Sequence, residues 1–507
     1  MLLISVVKSM SLQGLKGMLI NVEIDISSGM PCWDIVGLPD TNIRESKERV
    51  RTAIKNCGIE ILSRKYIINL SPSSIRKDGA VLDLAIAVGI LMSMEKINNT
   101  NLNDTIFIGE LSLDGKLNKV NGILPICIEA VKKGIKRIIL PKENAKEAAI
   151  VNNIEAIGVS NLLEVINFLN KRIEIIPEKI NHEEIEDENS NENLDFSEVK
   201  GQEMIKRALE ISAAGGHNCL LIGSPGTGKT MLAKRLPTIL PELTFEEALE
   251  VTKIYSVAGK LTSEGLVRKR PFRSPHHTIT ENALIGGGKI PKPGEISLSH
   301  LGVLFLDELL EFNKNTLEVL RGPMEDREVN ISRVGINVNY PCNFMLIASM
   351  NPCPCGYYGS KIKECTCTER QIGLYNSRLS GPMRDRFDIH IKVSPIDYKK
   401  MENRDYEKSE SIRKRVNNAR KIQLKRYENY SIYSNAELTP SLIDKYCNLE
   451  KDERIFLNNS IEKLNLSARA YTKILKVSRT IADLDNSESI MQKHLLEAIQ
   501  YRSLDKI

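Results

Sequence analysis

The order of apolar and polar positions sorts the chain into three structured stretches and one that resists folding. Met1 to Val7 is a short apolar run with no basic segment before it and no cleavage-type site after it. It predicts a first strand and no export signal. Leu19 to Ile26 alternates apolar and polar residues, as a half-buried strand does. Asp40 and Thr41 can cap a helix that runs to about Asn56 and stops at Gly58. Tyr66 to Leu70 and Ile106 to Ile108 predict short strands, and the apolar stretch Asp83 to Met94 a buried helix. Ile123 to Lys133 predicts a helix ended by Gly134, Arg137 to Leu140 a strand stopped by Pro141, and Asn161 caps a helix through Leu169. Residues 1–172 therefore read as one α/β unit. Residues 173–194 contain an acidic run, Glu183 to Asn191, nearly free of apolar side chains, which predicts a flexible, self-repelling linker.

In residues 195–396 the pattern changes to continuous apolar runs: Cys219 to Ile222, Val303 to Leu306 and Phe344 to Ala348. Such runs predict strands buried on both faces, as in a parallel sheet covered by helices. From about Tyr398 to the end, residues 397–507 read as helical, with one helix starting at Ser467-Ala468-Arg469-Ala470 and continuing through Leu484. The fold class expected is α/β and multidomain.

The ends of the apolar runs carry the chemistry. The first leads into Gly223-Ser224-Pro225-Gly226-Thr227-Gly228-Lys229-Thr230, and a helical pattern leaves it. Strand, glycine-rich loop and helix in that order form a P-loop, whose N–H groups and helix terminus cradle phosphates. Lys229 is placed to reach the β- and γ-phosphates and Thr230 to ligate Mg²⁺. The second run closes in Asp307-Glu308: Asp307 to hold Mg²⁺, Glu308 to polarise the attacking water.

Composition adds limits. The formal net charge of +5 allows nucleic-acid binding only through local patches. The most apolar segment, Ala80 to Met94, falls short of the ~20 residues a membrane span needs and carries Asp83. Ten cysteines without an export signal point to a reducing cytoplasm. Four of them, Cys353, Cys355, Cys365 and Cys367, are clustered. A Cys₄ zinc knuckle is the first expectation; free reduced thiols and a redox pair are the alternatives. His276 and His277 lack a third ligand at helical spacing and do not predict a metal site. Arg268, Lys269, Arg270, Arg273, Lys289 and Lys292 are read as a loop-and-hairpin surface available to phosphates, against the alternative of local loop structure and subunit contacts. The basic run Glu410 to Arg426 reads as a solvated helix face or a nucleic-acid contact.

Three resemblances extend this reading. Arg76-Lys77-Asp78-Gly79, Gly109-Glu110-Leu111-Ser112-Leu113-Asp114-Gly115 and Gly134 to Asn144 resemble the proteolytic domain of Lon-type proteases, which implies a ribosomal-protein S5 domain 2-like fold for residues 1–172. Val81 and Leu124 stand where that family has its catalytic Ser and Lys, and Ser73, Ser74 and Lys77 are poor substitutes, so a binding or assembly module is expected there. Asp195 to Gln202 is similar to the segment that packs near adenine in AAA+ ATPases. Asn351 resembles their sensor-1 residue, and Arg469, on a C-terminal helical lid, their sensor-2 arginine, which reaches back to the γ-phosphate. Arg386 in Arg384-Asp385-Arg386-Phe387-Asp388 resembles the arginine finger of magnesium-chelatase and MCM-type ATPases, with Arg384 and Arg378 as competitors. Taken in order, these motifs resemble the magnesium-chelatase-like AAA+ ATPases of the ComM/YifB family. That resemblance implies a hexameric, ATP- and Mg²⁺-dependent ring that moves on single-stranded or branched DNA and promotes branch migration in recombination and natural transformation. The competing expectations are a chelatase-type motor that remodels a protein partner, and an ATP-dependent protease.

Overall fold

The computed structural model describes residues 4–73, 77, 79–98, 102–179, 194–261, 265–288, 291–333, 336–360, 363–393, 406–430 and 432–502. The acidic linker run, Ser74 and Lys289 lie outside them.

The N-terminal unit is a seven-stranded mixed sheet. Its spatial order is Cys32–Val36, Lys65–Ser71, Lys16–Ser27, Ser5–Gln13, Thr105–Phe107, Arg137–Pro141 and Glu155–Val159. The two long N-terminal strands form an antiparallel hairpin, and the last three strands run parallel. Helix Asp83–Ser93 is buried along nearly its whole length between the sheet and helix Thr41–Asn56, which explains why it is apolar all round. Asp40 caps the latter helix through Ile43 N–H, and Asn161 caps Leu162–Leu169 through Glu164 N–H, as their sequences predict.

The second unit is built on a five-stranded, all-parallel sheet in the order Phe272–Arg273, Val303–Leu306, Met345–Met350, Cys219–Gly223, Ile389–Val393. Such an α/β arrangement is consistent with a P-loop AAA+ core. The three continuous apolar runs are its three inner strands, flanked on both sides and buried throughout. The two edge strands, Phe272–Arg273 and Ile389–Val393, were not read from the sequence.

The C-terminal helices do not form a core of their own. Ser409–Arg426, Ala468–Leu484 and Gln492–Gln500 share one apolar cluster with the P-loop unit, running from Phe196 and Ile211 to Ile474 and Leu495. Three of the basic residues in Ser409–Arg426 are spent inside this packing. Arg415 pairs with Glu210 and Glu407, Arg420 donates to the Tyr433 and Ala213 carbonyls, and Arg426 pairs with the fully buried Asp483. The reading of that run as one solvated face is corrected accordingly.

The N-terminal unit is seated on the second one. Leu124 and Ile150 pack against Ala248 and Leu266 across the junction. Gly122 N–H donates to the Ser256 carbonyl, and the Ser256 hydroxyl donates to buried Glu147. Leu124 is thus apolar because it lines the interface with helix Phe245–Ala258, where a lysine would have to bury its charge. Among the described residues no helix is long and apolar enough to cross a membrane.

Candidate functional site

Parallel α/β sheets present their chemistry at the carboxyl ends of the strands. Here strand Cys219–Gly223 turns through Gly226 and Gly228, at φ 76° and 85°, into helix Lys229–Arg235. A side chain at either φ would be strained, so glycine is what lets the loop wrap inward. Lys229 Nζ donates to the carbonyls of Gly223 (2.5 Å) and Ser224 (3.0 Å) and to Asn351 Oδ1 (3.3 Å). Burial lowers its pKa, with Asp307 and Glu308 opposing.

Pairing register brings the acids to the loop. Leu306 lies opposite Ala348, so the next residue, Asp307, comes level with Ser349. Thr230 Oγ1 donates to one Asp307 oxygen at 2.7 Å and Ser349 Oγ to the other. Glu308 N–H donates to Ser349 Oγ at 3.3 Å, and the exposed Glu308 carboxylate stands 4.0 Å from His277 Nδ1. Pro225, Thr227 and Met231 help close a cavity of about 430 Å³. The donor set suits a magnesium–nucleotide: hard oxygens at Thr230 and Asp307 for the ion, loop N–H groups and an ammonium for the phosphates.

Ser349 and His277 are residues that sequence reading did not assign here. Ser349 was within reach of it, because residues two apart on a strand share a face and Asn351 had already been picked out. His277 was not, since its approach to Glu308 depends on how the loop after Phe272–Arg273 folds. Asp195 to Gln202 is tied to the far end of the P-loop helix: Arg235 pairs with Glu198 and donates to the Asp195 carbonyl at 3.0 Å.

Arg386 and Arg469 are not brought to this cavity. They meet each other at the opposite edge of the sheet, before strand Ile389–Val393 begins. Arg386 pairs with Glu325, and Arg469 Nη1 donates to Asp385 Oδ2 at 2.9 Å. Burial lowers the Arg386 pKa, and the nearby cations Arg469 and Arg321 lower it further. The cause of this placement is the first turn of helix Ala468–Leu484. Lys473 donates to the Phe387 carbonyl and pairs with Asp388, which pins the turn to that edge. Burial opposes ionisation of Asp388, but Lys473 and His217 outweigh it and hold the carboxyl well below the usual range. Strands of four to six residues rise about 3.3 Å per residue, so the two edges are roughly 15 Å apart. Within one chain Arg469, likened to a sensor-2 arginine, lies with Asp385 and not at the phosphate pocket. Of the competitors, Arg378 is drawn to the Leu310 carbonyl and to Glu311, near the chain's own acidic pair.

Two of the residues read as available to phosphates are otherwise engaged. Arg270 donates to the Pro241 and Leu301 carbonyls and pairs with Glu247, and Arg273 pairs with Glu295. Lys292 stays exposed on a small ribbon, Gly286–Gly287 with Lys292–Pro293. Beside it stands a hairpin missing from the sequence reading, Glu328–Arg333 with Ile336–Pro341; Arg333, at its end, is exposed and lies next to Gly287. Its period-two alternation, Val329 and Ile331 then Val338 and Tyr340, was the available signal. The four cysteines Cys353, Cys355, Cys365 and Cys367 do converge, with all four sulfurs within 4.8 Å of one another.

Comparison with known proteins bears on nearly the whole chain. Family models described as magnesium chelatase, subunit ChlI, match residues 195–401; subunit ChlI of Mg-chelatase, residues 22–144; and the ChlI C-terminal region, residues 406–502. The competence protein ComM of Haemophilus influenzae is 39% identical over 99% of this chain and 98% of its own length. YifB of Escherichia coli is 40% identical with the same coverage. The magnesium-chelatase 38 kDa subunit of Rhodobacter capsulatus is 26% identical over 31% of this chain and 50% of its own length. With the P-loop, the acidic pair and the parallel sheet in place, these matches show that the chain belongs to the ComM/YifB family of magnesium-chelatase-like AAA+ proteins.

Proposed function

We propose that this chain is an ATP-hydrolysing ring motor, a cytoplasmic hexamer that drives branch migration on single-stranded or branched DNA during recombination or natural transformation. The observation that carries the ring is the separation of the two half-sites. Lys229, Thr230, Asp307, Glu308 and Asn351 gather at one edge of the sheet, and Arg386 with Arg469 at the other. Hydrolysis that uses all of them needs two subunits, one giving the phosphate pocket and the next both arginines. An arginine supplied in trans stabilises the charge that develops on the transferring phosphoryl group.

DNA is favoured over a protein partner by the extent of similarity: ComM is matched over 98% of its length and the chelatase subunit over half of its own. The surface we assign to DNA is the pair of ribbons that carry Lys292 and Arg333. Residues 1–172, with an S5 domain 2-like fold, serve as a binding or assembly module. The proteolytic reading lacks its chemistry: Leu124 is in the interface, and Lys77 is buried with its ammonium on the Gly37 and Pro72 carbonyls.

The test is ATPase rate with and without single-stranded, duplex and branched DNA at several salt concentrations. Stimulation by DNA is expected, with binding that weakens by ~0.9 log units per log unit of salt for each duplex phosphate contacted. A rate indifferent to every DNA, but raised by a protein partner, would move the assignment to the chelatase-type motor.

A further inference from the structure

The four cysteines lie in the loop that leaves strand Met345–Met350, directly after Asn351. Three of their sulfurs are close, Cys353 to Cys355 3.4 Å, Cys353 to Cys365 3.7 Å and Cys355 to Cys365 3.6 Å, and Cys367 Sγ lies within 4.8 Å of each. A tetrahedral zinc site with Zn–S near 2.3 Å has sulfur–sulfur edges of about 3.8 Å, so the spacing fits one ion. Backbone N–H groups converge on the sulfurs as well. Tyr358 N–H points at Cys353 Sγ (3.3 Å) and Cys355 N–H at Cys367 Sγ (3.4 Å), the kind of donor a charged thiolate calls for. Cys353 is fully buried and the other three are half-buried, so the cluster is closed on one side by the protein. None of the four is in a disulfide.

The same loop rests on the nucleotide pocket. Gly356, one residue after Cys355, has φ 83° and is pressed face-on against the P-loop. A Cβ there would lie 2.6 Å from Pro225 Cδ, 2.8 Å from Pro225 Cγ and 3.8 Å from Asn351 Cγ. On the other arm, Cys367 precedes Thr368, which caps helix Glu369–Asn376 through a reciprocal bond with Gln371. Tyr375 of that helix is buried in the core beneath the acidic pair, and Arg378 just beyond it donates to the Leu310 carbonyl. Between the two cysteine pairs, the described residues form neither helix nor strand.

We propose that Cys353, Cys355, Cys365 and Cys367 hold one Zn²⁺ as a closed tetrathiolate, and that the filled site seats Gly356 on Pro225 and Asn351, making the metal a structural requirement of the phosphate pocket. The ion touches no substrate; it positions the loop that positions Asn351 and Pro225. The second half of the proposal rests on reading that pocket as the nucleotide site.

The experiment uses the full-length chain, purified without chelator from zinc-replete cells. Metal analysis should find about one zinc per chain, and Cys353→Ser or Cys367→Ser should lose it. Those variants, and wild-type chain stripped with a mercurial, should bind a fluorescent ATP analogue about 10–100-fold more weakly, with recovery in the stripped protein once excess thiol has removed the mercury and zinc is returned. Gly356→Ala keeps all four thiols. It should retain zinc, lose some melting temperature because alanine is strained at φ 83°, and show the same loss of nucleotide affinity. Lys229→Ala should retain zinc while losing nucleotide, which separates the metal site from the reading of the pocket. Wild-type protein with only trace zinc, or with iron in its place, overturns the metal site. Zinc-free variants, or Gly356→Ala, with wild-type nucleotide affinity overturn the link to the pocket.

Discussion

Lys229 and Glu308 sit in one pocket but answer to different physics. Lys229 is buried and held by two carbonyls and Asn351. Lys229→Ala should abolish nucleotide binding, as measured by fluorescence of a bound ATP analogue. Glu308 is exposed, with His277 Nδ1 4.0 Å from its carboxylate. Glu308→Gln keeps the shape and removes the basicity, so binding should persist while kcat falls by about 10²–10⁴-fold. Arg386→Ala should likewise spare binding and cost about 10³–10⁵ in kcat, and Arg469→Ala should fall in the same class. These residues differ in how legible they were. Lys229, Thr230, Asp307 and Glu308 follow from local order, because a strand end and a loop are enough to place them. The partners of Arg386 and Arg469 are Glu325 and Asp385, on segments that sequence spacing cannot bring together.

Among elements, helix Phe245–Ala258 has the most demanding position. It packs against helix Ile123–Lys132 of the N-terminal unit and offers the Ser256 hydroxyl to Glu147. Burial raises the Glu147 pKa, and hydrogen bonds from Ser256, Leu124 N–H and Asn144 only partly counter it. A raised acid favours its neutral form in the folded state. Its contribution to stability is full below the ordinary glutamate pKa of about 4.3 and is lost as pH rises through the folded value. Glu147→Gln should therefore gain in melting temperature relative to wild type as pH goes from 4 to neutral; a constant difference would show that Glu147 does not titrate on folding. The hairpin Glu328–Arg333 with Ile336–Pro341 is the element assigned to DNA. The N-terminal unit reaches it at Val338, where the turn at Gly14 comes so close that a Cβ there would overlap it. Arg333→Glu should weaken DNA binding across sequences and lower the salt slope by about one for a single lost phosphate contact, with ATP binding unchanged.

For the whole molecule, the proposed ring rests on the two opposite ends of the parallel strands. A pocket at one edge and a pair of arginines at the other are about 15 Å apart within one chain, too far for a guanidinium to cross. Mixing Lys229→Ala with Arg386→Ala subunits should restore part of the ATPase, because some interfaces would join an intact pocket to an intact arginine. No recovery at any ratio would place the finger elsewhere. The shared core of the P-loop unit and C-terminal helices, from Phe196 to Leu495, also means that the helical region cannot swing away without exposing apolar surface.

The sequence by itself determined the parts whose cause is local. The apolar runs became the three inner strands, the caps at Asp40 and Asn161 started their helices, and the P-loop and the acidic pair appeared where the runs end, since these depend on neighbours along the chain. The tertiary structure alone decided what depends on neighbours across it. It spent Arg270, Arg273 and Arg426 on internal carboxylates, buried Leu124 in the interface between the two units, gathered four cysteines beside the glycine-rich loop and carried Arg469 to the far end of the strands. Each of these is set by which surfaces the sheet and helices bury against one another, and periodicity along a single chain does not encode that pairing.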